Sequence, residues 1–390
     1  MASSAEQAGP TRLALVAGEV SGDMLAARLM AGLAPRLPGV RFSGIGGPRM
    51  LEQGLVSDVP MDTLTVRGLF EVIPRYRELK GIQNTLRERL LQERPAAFIG
   101  ADYPGFNLGL EEQLRAGGIP TLHFVGPQIW AWRGGRIKKI QRAVSHMLLI
   151  FPFEEEIYRK AGVPATYIGH PLAEQIPLVP DVAGARRQLG IPENARVVTV
   201  MPGSRMAEIK YLAEPYAGAV KLLAARDPAI HFIAPMAGER QKAYFMELAA
   251  KAGLANVPLK LIDAQSHACI AAADAVLAAS GTATLEVALF KKPMVIAYKV
   301  MRASWEIMRH MGYLPWIGLP NILARDFVVP EFLQHAATPQ ALADALWTQL
   351  EDQNNRTRLA QRFLEMHHSL LRDSAGLSAQ AVLEVIGKRT

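Results

Sequence analysis

The sequence predicts an α/β fold built from two Rossmann-like, doubly wound parallel-sheet domains in tandem, followed by a helical tail. Three observations carry this. The chain has 390 residues, more than one ordinary core organises, so two domains of roughly 150–200 residues are expected. Short apolar runs alternate with amphipathic stretches through both halves, as in repeated strand–turn–helix units. The runs end in glycine- and proline-containing turns, which separate a buried strand from the helix that follows it.

In the first half, residues 13–17 read as a buried strand, followed by a glycine-containing turn and a helix over 24–33. Further strands are expected at 42–45, 96–99, 122–125, 146–150 and 166–168. Their ends carry Gly46-Gly47-Pro48, Gly100-Ala101-Asp102, Gly126-Pro127 and Gly169-His170-Pro171. Pro171, Pro177 and Pro180 mark residues 171–181 as a linker. In the second half, strands are expected at 197–201, 231–234, 275–278 and 293–298, with one helix after Pro202-Gly203-Ser204-Arg205 through 223 and another after Ser280-Gly281-Thr282 to 290. The chain from about 339 reads as helical, and Val382, Leu383 and Ile386 give its last helix an apolar face. The expected domains are 1–172, 173–340 and a tail, 341–390, that either packs back on the first domain or is exchanged in a dimer. Two such sheets in tandem set a cleft between their carboxyl strand ends, where open α/β sheets bind ligands.

Composition narrows the function classes. Half the residues are hydrophobic and a fifth are charged, a globular balance. The formal net charge of +7 fits nucleic acid, an anionic membrane or a phosphorylated substrate, and equally an ordinary basic protein. The single cysteine, Cys269, excludes an intrachain disulfide and a cysteine-based zinc site, and fits a reducing compartment. It sits in the apolar run 267–273, as a small core residue would. The run 13–17 is too short for a signal-peptide core, and no stretch approaches ~18 uninterrupted apolar residues, so membrane contact is expected to be peripheral. No His/Asp/Glu spacing demands a metal, and no cofactor is expected. No nucleic-acid module accompanies the basic charge, so nucleic acid is not an expected partner.

Two turns have the form of anion sites. Pro202-Gly203-Ser204-Arg205 follows a strand and opens a helix. Glycine lets a ligand approach the backbone, the helix start offers N–H groups, Ser204 offers a hydroxyl, and Arg205 offers a planar cation suited to two phosphate oxygens. The alternative is a tight turn with a solvated arginine. Ser280-Gly281-Thr282 opens a second helix, and Glu286, about one turn in, is better placed for ribose hydroxyls than for phosphate. Its alternative is a helix cap with a first-turn acid. Neither turn is a lysine phosphate loop, and Gly44-Ile45-Gly46-Gly47 is too weak to indicate a dinucleotide site.

Asp102 ends a strand, where a carboxylate can act as a general base; a turn-forming aspartate before Pro104 is the alternative. Gly18, Glu19 and Ser21 lie in a strand-to-helix loop that fits the acceptor side, and Asp23 reads as a helix N-cap. Two segments bear on membranes. Val66, Leu69, Phe70 and Ile73 form an apolar stripe beside Arg67, Arg75, Arg77 and Lys80. Trp130, Trp132, Arg133, Arg136, Lys138, Lys139 and Arg142 combine aromatics with cations, a mixture suited to anionic lipid or a phosphorylated acceptor. A core-facing helix and a solvated basic helix are the respective alternatives.

Taken together, nine segments resemble lipid-A-disaccharide synthases, bacterial glycosyltransferases of the GT-B type. They are 15–23, 47–50, 102–107, 128–133, 151–154, 168–170, 202–205, 280–282 and 319–321, in order along the chain. The resemblance implies that UDP-2,3-diacylglucosamine donates its sugar, with inversion, to the 6-hydroxyl of 2,3-diacylglucosamine 1-phosphate. It matches the family's important aspartate and arginine to Asp102 and Arg205, and its nucleotide-site asparagine to Asn321. Gly105 departs from the family pattern, which carries an acid there, so no second carboxylate is carried over. The resemblance also implies a bacterial cytoplasmic enzyme, peripheral on the inner membrane and tending to dimerise through exchanged C-terminal segments. On this reading Gly203, Ser204, Arg205, Ser280, Gly281, Thr282, Glu286 and Asn321 bind the nucleotide. Gly18, Glu19, Ser21, Trp130 and Arg133 lie toward acceptor or lipid. The rival readings are a UDP-N-acetylglucosamine 2-epimerase and a non-catalytic membrane- or RNA-binding protein.

Overall fold

The computed structural model describes residues 10–64, 69–131, 134–309, 312 and 314–387. It divides into two compact units, Met1–Pro171 with Leu370–Thr390, and Leu172–Ser369.

The first unit's strands are Arg12–Ala17 (β1), Arg41–Ile45 (β2), Leu55–Ser57 (β3), Ala97–Ala101 (β4), Thr121–Phe124 (β5), His146–Leu149 (β6) and Ala165–Tyr167 (β7). All pair in parallel, in the order β3-β2-β1-β4-β5-β6-β7. A strand's side chains alternate between faces, and β1 uses both. Leu13, Leu15 and Ala17 join one core with Leu25, Leu29 and Val382. Ala14 and Val16 join another with Leu86, Leu90, Phe98 and Leu110. A parallel sheet buried on both faces needs such runs of apolar residues.

The second unit adds Arg196–Met201 (β8), Ile230–Met236 (β9), Leu259–Asp263 (β10), Ala275–Ala279 (β11), Met294–Tyr298 (β12) and Glu331–Leu333 (β13). They form a six-stranded sheet in the order β10-β9-β8-β11-β12-β13, again parallel. Val198, Val200 and Leu277 pack with Leu212, Tyr216 and Leu346 in one core. Cys269 is wholly buried, and burial pushes its thiol up to about 12, as suits a core position.

The terminal helices divide between the units. Pro339–Glu351 lends Leu342, Leu346 and Leu350 to the second core. Ser374–Gly387 packs on the helix Val20–Leu33 in the first unit, with Ala379 and Val382 buried and Leu383 and Ile386 beside them. Gly32 permits that approach, since a Cβ there would lie 2.8 Å from the Ala375 carbonyl oxygen. The segment 171–181 is partly structured, beginning with the helix Pro171–Gln175. No helix among the described residues is long and apolar enough to cross a membrane.

In each sheet the winding reverses once. The first sheet grows one way through β2 and β3 and the other way from β4, so its switch lies between β1 and β4. The second switches between β8 and β11. Loops leaving the carboxyl ends of the two strands at a switch diverge to opposite faces and open a crevice for ligands. Asp102 follows β4, and Ser21 lies just beyond β1. The 202–205 turn follows β8, and the 280–282 turn follows β11. Each switch therefore carries a pair of the expected site segments.

Candidate functional site

At the first switch the structure brings Ser21 and Asp102 together. The Ser21 hydroxyl donates to Asp102 Oδ2 at 3.1 Å, and the Tyr103 N–H donates to Oδ1 at 2.8 Å. Asp102 and Tyr103 both have left-handed backbones, φ 54° and 49°. Non-glycine residues tolerate that conformation only when their surroundings hold it. Here the Asp102 N–H donates to the Phe124 carbonyl, and Asn107 Nδ2 donates to the Asp102 carbonyl, both at 2.8 Å. The Tyr103 ring covers Gly18, where a Cβ would lie 2.6 Å from it. Gly105 faces open space.

Asp23 is not a cap of its own helix, which begins at Val20 rather than 24. It is buried, and accepts from the N–H groups of Gly47, Arg49 and Met50 at 2.8–3.1 Å. It thus caps the next short helix, Pro48–Glu52, from outside. A carboxylate on a helix start satisfies N–H groups and complements the dipole. The helix starts early because Gly22 lets its first turn approach the sheet: a Cβ there would lie 2.7 Å from the Ala101 carbonyl oxygen.

At the second switch, Gly203 has φ 104°. The room beside it is filled by Glu208, whose Oε2 would lie 2.3 Å from a Cβ at Gly203. The same oxygen accepts from the N–H groups of Ser204 and Arg205 at 3.0 and 3.1 Å. Two of the backbone donors at the turn, those of Ser204 and Arg205, are therefore held by a carboxylate of the chain itself. The glycine makes room for Glu208. Glu208, the third helical residue after the cap Arg205, reaches back to the cap N–H as the acid of a capping box does. Arg205 is 84% exposed, with Glu208 Oε1 3.5 Å from its guanidinium. Tyr298, ending β12, is close enough for the charges of Glu208 and Arg205 to act on its hydroxyl.

The neighbouring turn is more open. Gly281 and Thr282 are exposed, a Cβ at Gly281 would touch nothing, and no side chain caps the helix Thr282–Leu289. Ser280 donates to the Ile317 carbonyl at 3.3 Å, and the Leu319 N–H donates to Thr284 Oγ1 at 3.3 Å. These bonds bring the 317–321 segment to the turn. Glu286 stands 3.6 Å from His267 Nε2.

The Asn321 side chain spends its hydrogen bonds within the protein. It is fully buried. Its amide donates to the Val329 carbonyl and Glu331, and its oxygen accepts from the N–H groups of Val328 and Val329, all at 2.8–3.0 Å. Glu331 accepts from the N–H groups of Ile317 and Gly318. Asn321 thus braces the loop through Glu331, with its own hydrogen-bonding capacity consumed.

Trp130, expected toward acceptor or lipid, packs into the protein. It is 9% exposed and turned inward, its indole N–H donating to Glu154 at 3.1 Å and its ring edge-on to Phe151 and Phe153. An indole N–H seeks a partner when buried, and this one finds it in the protein rather than at a lipid surface. Val66, Trp132 and Arg133 lie outside the described residues, as do the side chains of Leu69, Phe70 and Ile73. In the basic helix Ile137–Ala143, Ile140 and Ala143 are buried, and exposed Arg142 pairs with Glu112 at 2.7 Å.

Burial pushes the Glu154 carboxyl up to about 8, against the hydrogen bonds it accepts from Phe151 and Trp130. In the unfolded chain it would titrate at about 4.3. Between these values the folded state holds a proton that the unfolded state releases. The associated stability is whole below about pH 4 and is lost as pH rises through 8. Glu154→Gln, neutral throughout, is expected to gain Tm over the parent progressively from pH 5 to pH 8, reaching several degrees. Parallel Tm–pH curves for the two proteins would show that Glu154 is not held protonated.

A family model described as lipid-A-disaccharide synthetase matches residues 13–384. The lipid-A-disaccharide synthase of Paraburkholderia phymatum is 53% identical over 381 residues, covering 97% of this chain and 97% of that one. Among solved structures, Anabaena HepE in complex with UDP and glucose is similar at TM-score 0.54 and 15% identity, over 97% of this chain and 99% of that one. The UDP-GlcNAc 2-epimerase of Neisseria meningitidis, bound to UDP-GlcNAc, is similar at TM-score 0.57 and 12% identity, over 97% and 100%. At such identities the structural likeness speaks for the fold alone.

Proposed function

The chain belongs to the lipid-A-disaccharide synthase family, a glycosyltransferase of GT-B fold, and on that premise we propose that it transfers 2,3-diacylglucosamine from a UDP-linked donor to the 6-hydroxyl of 2,3-diacylglucosamine 1-phosphate. The observation that carries this reading is the family match across both units. Its support in the geometry is that each switch point holds one half of the required chemistry.

Asp102 takes the proton from the acceptor hydroxyl as its oxygen attacks the anomeric carbon. The bond from that carbon to the diphosphate breaks on the opposite face, so configuration inverts and UDP departs. Negative charge grows on the departing diphosphate. Arg205, the Ser204 hydroxyl and the start of the helix Thr282–Leu289 stabilise it. Glu286 holds the ribose, and Asn321 acts at one remove by fixing the start of the helix Leu319–Ala324. Ser21 orients the base, and Glu19 and Gly18 shape the acceptor side.

Both substrates carry acyl chains, so the enzyme works at an anionic membrane surface. The segment 66–80 and the cations from 133 to 142 supply the contact, and the protein is peripheral on the cytoplasmic face of the inner membrane.

The test is an assay of purified protein with the two diacylated substrates, and separately with UDP-N-acetylglucosamine alone. Disaccharide 1-phosphate and UDP are expected from the first and no epimer from the second. Epimer formation without transfer would replace this reading with the epimerase.

A further inference from the structure

Behind Asp102 the first unit buries three polar side chains that the proposed chemistry leaves unused. Asn107, Glu111 and His123 are each fully buried. Glu111 Oε1 and His123 Nδ1 are hydrogen-bonded at 2.8 Å. Glu111 Oε2, His123 Nε2 and Asn107 Oδ1 have no hydrogen-bond partner among the described residues. Burial raises the Glu111 carboxyl above its ordinary value, while His123 and Lys139 pull it down. Stability gives little reason for such a cluster. Unsatisfied buried polar atoms are costly, and a buried charged or polar pair seldom outperforms an apolar pair of like volume.

Their placement is specific. Asn107 and Glu111 are one turn apart on the helix Pro104–Ala116, whose start follows Asp102 and Tyr103. His123 on β5 pairs with Gly100 on β4. Gly100 admits the cluster to the sheet: a Cβ there would lie 2.2 Å from Glu111 Oε1 and 2.9 Å from Asn107 Cβ. Asn107 Nδ2 then donates to two carbonyls, that of Asp102 at 2.8 Å and that of Val16 at 3.3 Å. It links the ends of the two switch strands, β1 and β4, through the backbone of the proposed base. The left-handed pair Asp102-Tyr103 is thus held from behind by a polar layer.

We propose that Asn107, Glu111 and His123 are positioning residues for Asp102, fixing the strained turn so that its carboxylate stands where the acceptor hydroxyl presents its proton. The proposal rests on the reading of Asp102 as the general base. Glu111 and His123 lock the middle of the helix against β5, and Asn107, one turn nearer its start, passes that constraint to the Asp102 carbonyl. A base displaced by about 1 Å can lose about 10²-fold in rate without touching substrate affinity.

The experiment is steady-state transfer with both diacylated substrates, turnover being referred to the concentration of protein that binds UDP. Glu111→Gln keeps the side chain's size and is expected to lower kcat about 10–100-fold with both KM values within about twofold. Glu111→Leu/His123→Phe replaces the pair with apolar groups; it is expected to match the parent's Tm within a few degrees and to lose as much turnover. Parental kcat in Glu111→Gln overturns the proposal, as does a loss confined to KM. If the double variant fails to fold, Glu111→Gln alone decides. Asp102→Asn separates the two readings. Near-normal turnover there removes the base assignment, whereas inactive Asp102→Asn beside fully active Glu111→Gln removes only the positioning role.

Discussion

Asp102→Asn is expected to abolish sugar transfer while leaving UDP affinity at the parental value. The substitution keeps the shape of the side chain. The amide oxygen can still accept from the Tyr103 N–H, as Asp102 Oδ1 does at 2.8 Å. What is lost is the capacity to take a proton. General-base catalysis contributes typically 10²–10⁴-fold, so kcat is expected to fall by at least about 10²-fold. An interaction made only in the transition state lowers kcat and kcat/KM equally, so both should drop together. UDP titration by calorimetry isolates the second half of the expectation, because the proposed nucleotide contacts all come from residues beyond 200. Turnover within a few-fold of the parent would sink the base assignment. A large loss of UDP affinity would instead show that residue 102 shapes the nucleotide site.

What the sequence made legible follows from how deeply each element is buried. The expected interior strands are all present, within a few residues at each end. The three strands that escaped notice, β3, β10 and β13, are all sheet edges. They are short or half-exposed, and β13 has no buried residue at all. An edge strand packs on few neighbours, so its sequence need not carry the apolar run that marks a buried one. The placement of candidate residues was legible where position along the chain fixes it, as for Asp102 beyond β4 and the turns beyond β8 and β11. Side-chain direction was not. Trp130 sits among cations in sequence yet turns inward to Glu154, and Asn321 spends its amide on Val328, Val329 and Glu331. Both outcomes depend on partners 7 to 24 residues away, beyond the reach of local pattern.

Glu208 alters what is asked of Arg205, and Arg205→Ala is expected to cost at least about 100-fold in turnover. With the Ser204 and Arg205 N–H groups already bonded to Glu208, two backbone donors of the turn after β8 are taken from a diphosphate, and more falls to the Arg205 guanidinium and the Ser204 hydroxyl. The guanidinium is the only full positive charge among the residues proposed to hold the leaving group. It must therefore carry more of the transition-state stabilisation than a turn with free backbone donors would require. The fold does not depend on it. The side chain is 84% exposed and its ion pair with Glu208 is long, at 3.5 Å; exposed pairs of this kind contribute about 0–1 kcal/mol. Tm should accordingly stay within a degree or two of the parent, so lost turnover reads chemistry rather than unfolding. Arg205→Lys keeps the charge but not the planar fork, and should recover part of the rate. The split between constants decides the role. A fall in kcat places the cation on charge that develops as UDP leaves, whereas a raised donor KM with unchanged kcat means that Arg205 binds ground state and transition state alike.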